Sequence, residues 1–166
     1  MESSTPDLSL VRRLKAKGRY EEAERRLAIW LADDPDNPRL LLEMAELLDQ
    51  QRREEEAIGY YEAALTHGLD PLHRAEAYAG LGSSLRAVGR IHDSYRVLSE
   101  AVREFPQHLA LKVLLALTLE KQQNFGEAID QLLTVILAAA QDPTLNPYRP
   151  ALQYDLLHRH DEKRKD

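Results

Sequence analysis

The apolar residues of this chain recur at the spacing of an α-helix, and no segment alternates at the spacing of a strand. Two such stripes consist of Tyr20, Ala23, Leu27, Trp30 and Leu31, and of Ile91, Leu98, Ala101, Val102 and Phe105. The β-branched cluster Val135-Ile136-Leu137 lies inside the same helical period. The pattern therefore predicts an all-α fold in which each helix buries one face.

Four similar segments divide the chain at a nearly constant interval. They are Gly18–Ala23, Arg53–Ala57, Gly89–Ser94 and Asn124–Ala128. The small residues that end these segments lie 34, 37 and 34 positions apart. Gly68 and Pro71 predict that a loop over His67–His73 absorbs the three extra residues. We expect one domain over residues 1–166, with helix-turn-helix repeats near residues 4–37, 38–74, 75–108 and 109–142.

The third repeat shows the pattern of small and large residues most fully. Its first helix carries Tyr78, Leu81, Gly82 and Leu85, its second carries Ser94, Leu98 and Ala101, and Pro106 closes it. With this pattern the chain resembles the tetratricopeptide-repeat (TPR) family over residues 7–140. The resemblance implies a right-handed superhelix of about four repeats, in which small residues let paired helices approach closely.

A turn-rich break follows the fourth repeat. Asp142-Pro143 and Asn146-Pro147 end the helical pattern, and Pro150 predicts the start of a last helix near residues 147–160. Tyr148, Leu152 and Leu156 give that helix one apolar face. Because a terminal repeat needs a cover for its exposed seam, we expect a capping helix here, followed by a charged tail that frays.

Composition and charge exclude several classes of function. The 22 Lys and Arg residues are mixed with 28 Asp and Glu residues, giving a net charge of −6 and no basic field for nucleic acid. The chain has no cysteine, and no apolar stretch approaches the length of a membrane span. We expect a cytoplasmic protein that binds neither nucleic acid nor membrane.

No catalytic or metal-binding pattern emerges from the sequence. Gly80-Leu81-Gly82-Ser83-Ser84 lacks the Gly-Lys-Ser ending of a phosphate loop and lies within a predicted helix. The histidines are scattered, and His158 and His160 point in different directions on a helix. We therefore expect no enzyme activity, no cofactor and no metal.

The TPR resemblance implies that the first helices line a concave binding face. The candidate partner-binding residues on it are Arg39, Glu43, Glu46 and Gln50 in the second repeat, Glu76, Ser83 and Arg86 in the third, and Val113, Leu114, Leu117 and Lys121 in the fourth. Some TPR proteins grip a terminal carboxylate with basic residues at this face. Three glutamates among the candidates argue against that ligand here.

The first helix of the fourth repeat, Leu109–Leu119, is apolar on nearly all sides. Something must cover Val113, Leu114 and Leu117, and three candidates are the chain's own final helix, a second copy and a client segment. Phe105-Pro106, the Leu-rich fourth repeat and Tyr148-Arg149 are similar to a small bacterial TPR family whose members are thought to dimerise. The hypotheses are a protein-protein interaction module that binds a protein or peptide through its concave face, a homodimeric structural module, and a small TPR-type secretion chaperone.

Overall fold

A computed structural model describes residues 6–158 of the chain. These residues form nine α-helices, one 3-10 helix and no strand. The elements are α1 Leu8–Ala16, α2 Tyr20–Asp33, α3 Pro38–Gln50, α4 Glu54–Thr66, α5 Pro71–Ala87, α6 Ile91–Glu104, α7 Leu109–Lys121, α8 Phe125–Ala139, the 3-10 helix Pro143–Tyr148 and α9 Arg149–His158. The all-α prediction is confirmed, and none of the helices within residues 6–158 has the length and apolar character of a membrane span.

The eight helices α1 to α8 form four antiparallel pairs, and each pair packs against the next. α2 contacts α3, α4 contacts α5, and α6 contacts α7, while successive first helices α3, α5 and α7 also contact one another. Each first helix inside the stack therefore packs against its own second helix and against the second helix of the preceding repeat. This arrangement buries first helices more completely than second helices.

α5 begins earlier than the sequence predicted. It starts at Pro71, so the expected boundary at residue 75 falls within the helix, and the connecting loop spans only His67–Asp70. The Asp70 side chain accepts a hydrogen bond from the His73 backbone amide, and the proline ring fixes the backbone angle of the first turn. The extra residues therefore lengthen α5 to 17 residues, against 13 in α3 and α7.

The turn between paired helices uses the same left-handed backbone conformation in all four repeats. Gly18 and Gly89 have φ angles of 70° and 82°, and Arg52 and Gln123 occupy the corresponding positions with φ of 61°. The sequence indicated only the two glycines as helix stops, because arginine and glutamine carry no such signal. Two of the four turns thus hold a side chain in a conformation that favours glycine.

The predicted close approach of paired helices is present in the third repeat. A Cβ atom at Gly82 would lie 2.5 Å from Cγ of Leu98, so only a glycine fits between α5 and α6. Ser94, which faces it, is fully buried and donates a 2.7 Å hydrogen bond from its hydroxyl to the Gly82 carbonyl. A Cβ atom at Gly80 would lie 2.2 Å from Cζ of the Tyr61 ring, a second close approach that the sequence did not predict.

α9 closes the described part of the chain by packing on α8, and the 3-10 helix contacts α9. The Arg149 guanidinium donates to the backbone carbonyls of Leu137 and Ala140, which lie at the unsatisfied C-terminal end of α8. Leu152 and Leu156 are half-buried, whereas Tyr148 is exposed. A last helix is therefore present at the predicted place; residues 159 and 160 of the prediction, and the charged tail, lie outside the described residues.

Candidate functional site

The candidate binding residues lie on one face of α3, α5 and α7, which we call the groove face. The structure separates them into three groups along the stack. Arg39, Glu43, Glu46 and Glu76 line a cavity of about 440 Å³ together with Arg12 and Lys15 of α1. Gln50, Ser83 and Arg86 line a second cavity of about 370 Å³. The third group, on α7, consists of Val113, Leu114, Leu117 and Lys121.

The first group contains a cluster of ion pairs. Glu43 is only 2% exposed, and its carboxylate lies 3.0 Å from Nη2 of Arg12 and 3.2 Å from Nζ of Lys15. Lys15 also lies 3.0 Å from the carboxylate of Glu46. The sequence placed Glu43 and Glu46 on an open surface, but α1 supplies cations that offset both charges. Their pairing anchors α1 to α3 and leaves little free charge for a ligand.

The other two members of this group differ in their environment. Arg39 is half-buried, and its Nη1 atom is buried with no hydrogen-bond acceptor among the described residues. Glu76 is exposed on α5 and lines the same cavity. A buried donor without an acceptor is costly in a folded protein, so the Nη1 atom of Arg39 lowers the stability of this part of the stack.

The second group centres on Arg86. Its side chain is half-buried at the end of α5, and Nη1 donates a long 3.4 Å hydrogen bond to the Leu114 carbonyl of α7. Within residues 6–158 no carboxylate lies at ion-pair distance from this guanidinium. Burial therefore lowers the pKa of Arg86 from its ordinary value, with no counter-charge to offset the loss of water.

A buried polar network lies beside Arg86 and was missed by the sequence analysis. The hydroxyls of Ser84 and Tyr61 donate to the two carboxylate oxygens of Asp49, at 2.8 and 3.0 Å. Burial nevertheless raises the pKa of the Asp49 carboxyl above its ordinary value. Asp49, Tyr61 and Ser84 join three helices, α3, α4 and α5, but each looked like an ordinary helical residue in the sequence.

The third group is apolar and partly open. Val113 and Leu114 are half-buried, Leu117 is 45% exposed, and Lys121 is exposed beside Glu120. α9 packs on α8 and the 3-10 helix, and Leu117 keeps this exposure with α9 in place. The chain's own final helix therefore leaves the apolar end of the groove face uncovered.

The groove face changes character from repeat to repeat at one structural position. Arg12, Glu46, Ser83 and Leu117 are equivalent residues of α1, α3, α5 and α7. The first two belong to the ion-pair cluster, the third is a half-buried hydroxyl, and the fourth is an exposed leucine. Charge that is internally paired at one end thus gives way to an open apolar surface at the other.

The described residues provide little for metal binding. In that part of the chain, no three or more His, Cys, Asp or Glu side chains are grouped closely enough to hold an ion. His73 pairs with Asp70, and His67 lies 3.4 Å from Asp36. These are contacts at helix ends, and they do not converge on one point.

Comparison with known proteins agrees with the repeated helix pairs. A family model described as a tetratrico peptide repeat matches residues 38–154, which is most of the chain. The chain belongs to the tetratricopeptide-repeat family. A comparison with curated protein sequences gives no match.

Solved TPR structures share the fold. MamA is 18% identical and has a TM-score of 0.71, with 98% of this chain and 99% of MamA covered. A MamA fragment from Desulfovibrio magneticus RS-1 is 20% identical with a TM-score of 0.68, covering 77% and 71% of the two chains. YrrB, described as a TPR protein with an unusual peptide-binding site, is 18% identical with a TM-score of 0.67, covering 76% of this chain and 63% of YrrB.

These findings establish a TPR superhelix with a C-terminal helix, which is a protein-interaction scaffold. They identify the class of function that the fold supports.

Proposed function

We propose that this TPR protein binds a segment of a partner protein through its concave face, and that the α5 and α7 half of that face supplies most of the binding energy. The partner segment carries large apolar side chains and one acidic group. Arg86, a half-buried cation without a carboxylate partner in the described chain, is the observation that carries this proposal.

The burial of Arg86 without a counter-charge favours a ligand that carries an acidic group at this position. Because the free protein has already desolvated much of this guanidinium, a bound carboxylate would gain a charge-assisted hydrogen bond at a reduced desolvation cost. Gln50 and Ser83 line the same cavity and can donate to a second oxygen of the ligand. The Glu43 and Glu46 charges, which the sequence analysis counted against an acidic ligand, are offset by Arg12 and Lys15.

The partly exposed leucines of α7 favour large apolar side chains next to that acidic group in the ligand. Leu114, whose carbonyl contacts Arg86, is followed one turn later by the exposed Leu117. Covering apolar surface stabilises a complex by about 25 cal/mol per Å². A ligand that spans Arg86 and Leu117 gains this apolar burial as well as the charge-assisted hydrogen bond. YrrB is described as binding peptide at an unusual site, which supports a peptide ligand for a fold of this kind.

The test is a selection of displayed peptides on the full chain, followed by affinity measurement on purified variants. Selected peptides should share an aspartate or glutamate flanked by large apolar residues. Arg86→Gln should weaken their binding about 10- to 100-fold, since a hydrogen bond to a charged group is worth about 1.5–3 kcal/mol. Leu117→Glu should weaken it similarly by repelling the apolar part.

The matched control is Arg96→Gln on α6, which removes an equally charged but largely exposed side chain outside the groove face. It should leave peptide affinity within twofold. Selected peptides that bind the Arg86→Gln and Leu117→Glu variants as tightly as the unchanged chain would contradict the proposed site.

A homodimer through the fourth repeat is the second candidate, because its apolar residues remain partly open. Light scattering on the purified protein at high concentration should then give twice the 19.0 kDa chain mass. A single species of chain mass would exclude this function and leave the peptide-binding proposal in place.

A further inference from the structure

The outer side of α8 carries a second exposed apolar surface, separate from the groove face. Only Ala128 of this helix is buried. Phe125, Ile129, Leu132 and Ile136 are 40–56% exposed and recur at the spacing of one helix face. We call these four residues the α8 stripe. The charged residues of α8, Glu127 and Asp130, lie outside the stripe.

One residue of the α8 stripe occupies a position that is an interface in the earlier repeats. Leu132 is equivalent to Leu27, Tyr61 and Leu98, each four residues after the small residue of its second helix. Those three side chains are 0%, 3% and 0% exposed, whereas Leu132 is 40% exposed. The first helices α3, α5 and α7 pack on α2, α4 and α6, which bear these residues. At Leu132 the stripe therefore continues an existing series of interfaces, and the described chain leaves this position partly uncovered.

Prolines explain why the chain does not cover this position with a first helix of its own. A fifth first helix would begin about 34 residues after α7, near residue 143. Pro143 could start such a helix, as Pro38 and Pro71 start α3 and α5, but Pro147 and Pro150 would fall inside it and each would remove a backbone hydrogen bond. The chain forms a 3-10 helix over Pro143–Tyr148 instead. α9 starts only at Arg149 and leaves the stripe exposed.

The internal first helices show which side chains such a face accepts. Each presents three buried, uncharged residues toward the preceding repeat: Leu40, Met44 and Leu47 in α3, Ala77, Leu81 and Ser84 in α5, and Leu111, Leu115 and Thr118 in α7. α1 has Arg13 at the third of these positions, and its side chain is 62% exposed. Stacking α1 of a second copy on the stripe would bury that cation against apolar groups.

We propose that the α8 stripe binds an amphipathic helix of another protein, which packs as the first helix of a fifth repeat. Its contact residues are uncharged and recur at i, i+4 and i+7, as they do in α3, α5 and α7. This interface is separate from the groove face, so the proposal can be tested independently of the peptide-binding proposal. One protein could thus hold two partner segments on two sides of its fourth repeat.

The probe is a lactam-bridged peptide of residues 37–51, in which L41Q, L42Q and L48Q remove the other large apolar contacts. Leu40, Met44 and Leu47 remain as its only large apolar stripe, and the bridge maintains the helix. We expect saturable binding to the full chain, measured by fluorescence anisotropy. Leu132→Glu in the chain should weaken it at least tenfold, and Leu117→Glu should not change it.

The control peptide adds L47R, which reproduces the arginine of α1, and should bind at least tenfold more weakly. Circular dichroism should show unchanged helix content in Leu132→Glu, and Ile136→Glu provides a second variant on the same stripe. Absence of saturable binding to the unchanged chain, or equal binding by Leu132→Glu, would overturn the proposal. The proposal would also be overturned if the chain forms a dimer that binds no peptide and that Leu132→Glu dissociates. A second copy of the chain would then occupy the α8 stripe.

Discussion

The second and fourth repeats share one sequence pattern and differ sharply in burial. Four residues of α4, the second helix of the second repeat, are buried, whereas the equivalent helix α8 buries one despite being more apolar overall. α4 packs between α3 and α5, but α8 has a full neighbour only on the α7 side. The difference shows that a residue's burial in this stack depends on its neighbouring repeats as much as on its own hydrophobicity. The interior repeat contributes mainly to stability, and the terminal repeat retains exposed apolar surface.

The sharpest test of this difference is the same substitution at one position of two repeats. Leu98→Ala should lower the free energy of unfolding by about 3 kcal/mol, because it opens a cavity at a fully buried site. Leu132→Ala should cost less than about 1 kcal/mol, since water already contacts that side chain. Chemical denaturation of both variants measures the two values. Equal losses would mean that Leu132 is buried in solution.

A second test concerns the close approach that interior packing requires. Gly82→Ala should lower stability by about 1–2 kcal/mol, because the added methyl group overlaps Leu98. Gly59→Ala in α4 is the matched control, since nothing lies within 4 Å of a Cβ there, and it should raise stability by about 0.5–1 kcal/mol. Thermal unfolding distinguishes the two signs. If Gly82→Ala raised stability, α5 and α6 would have to lie further apart than they do in this structure.

The third test uses pH to examine the polar network between α3, α4 and α5. The folded-state pKa of Asp49 is raised above its ordinary value of 3.8, so the folded protein binds this proton more tightly than the unfolded chain. Its contribution to stability is present at low pH and is lost as pH rises through the raised pKa. The stability of Asp49→Asn relative to the unchanged chain should therefore increase across that window. If the difference in stability between the two proteins did not change with pH, the Asp49 carboxyl would be exposed to water and its pKa would not be raised by burial.

The smallest expected effect lies at the turns. Arg52→Gly should raise stability by about 0.5–1 kcal/mol, because glycine adopts the left-handed conformation of this residue at lower cost. Gln123→Gly should act in the same direction in the fourth repeat. Calorimetric unfolding of both variants gives the comparison. A loss of stability at either position would indicate that its side chain makes a contact worth more than the backbone strain.

The repeat pattern made much of the fold predictable. The spacing of Ala23, Ala57, Ser94 and Ala128 identified the helix pairs, because close helix packing requires small residues at fixed positions. The apolar first helix of the fourth repeat predicted that Val113, Leu114 and Leu117 are covered, and within the described chain Leu117 is 45% exposed. The start of α5 was placed four residues late, since the Asp70 cap and Pro71 were assigned to a loop.

Features that depend on contacts between repeats were not predictable from one sequence. The partners of Glu43 are Arg12 and Lys15, about thirty residues away, and no periodicity links them. Burial of Arg86 without a counter-charge likewise depends on where α7 lies. The openness of the α8 stripe depends on the prolines that follow and on the placement of α9.

Native-state hydrogen exchange, resolved by helix, tests most directly whether the terminal repeat is the less stable part of the stack. The account predicts that amides of α8, over Phe125–Ala139, open with a lower free energy than those of α4, over Glu54–Thr66, which exchange near the global limit. Protection of α8 equal to that of α4 would contradict it.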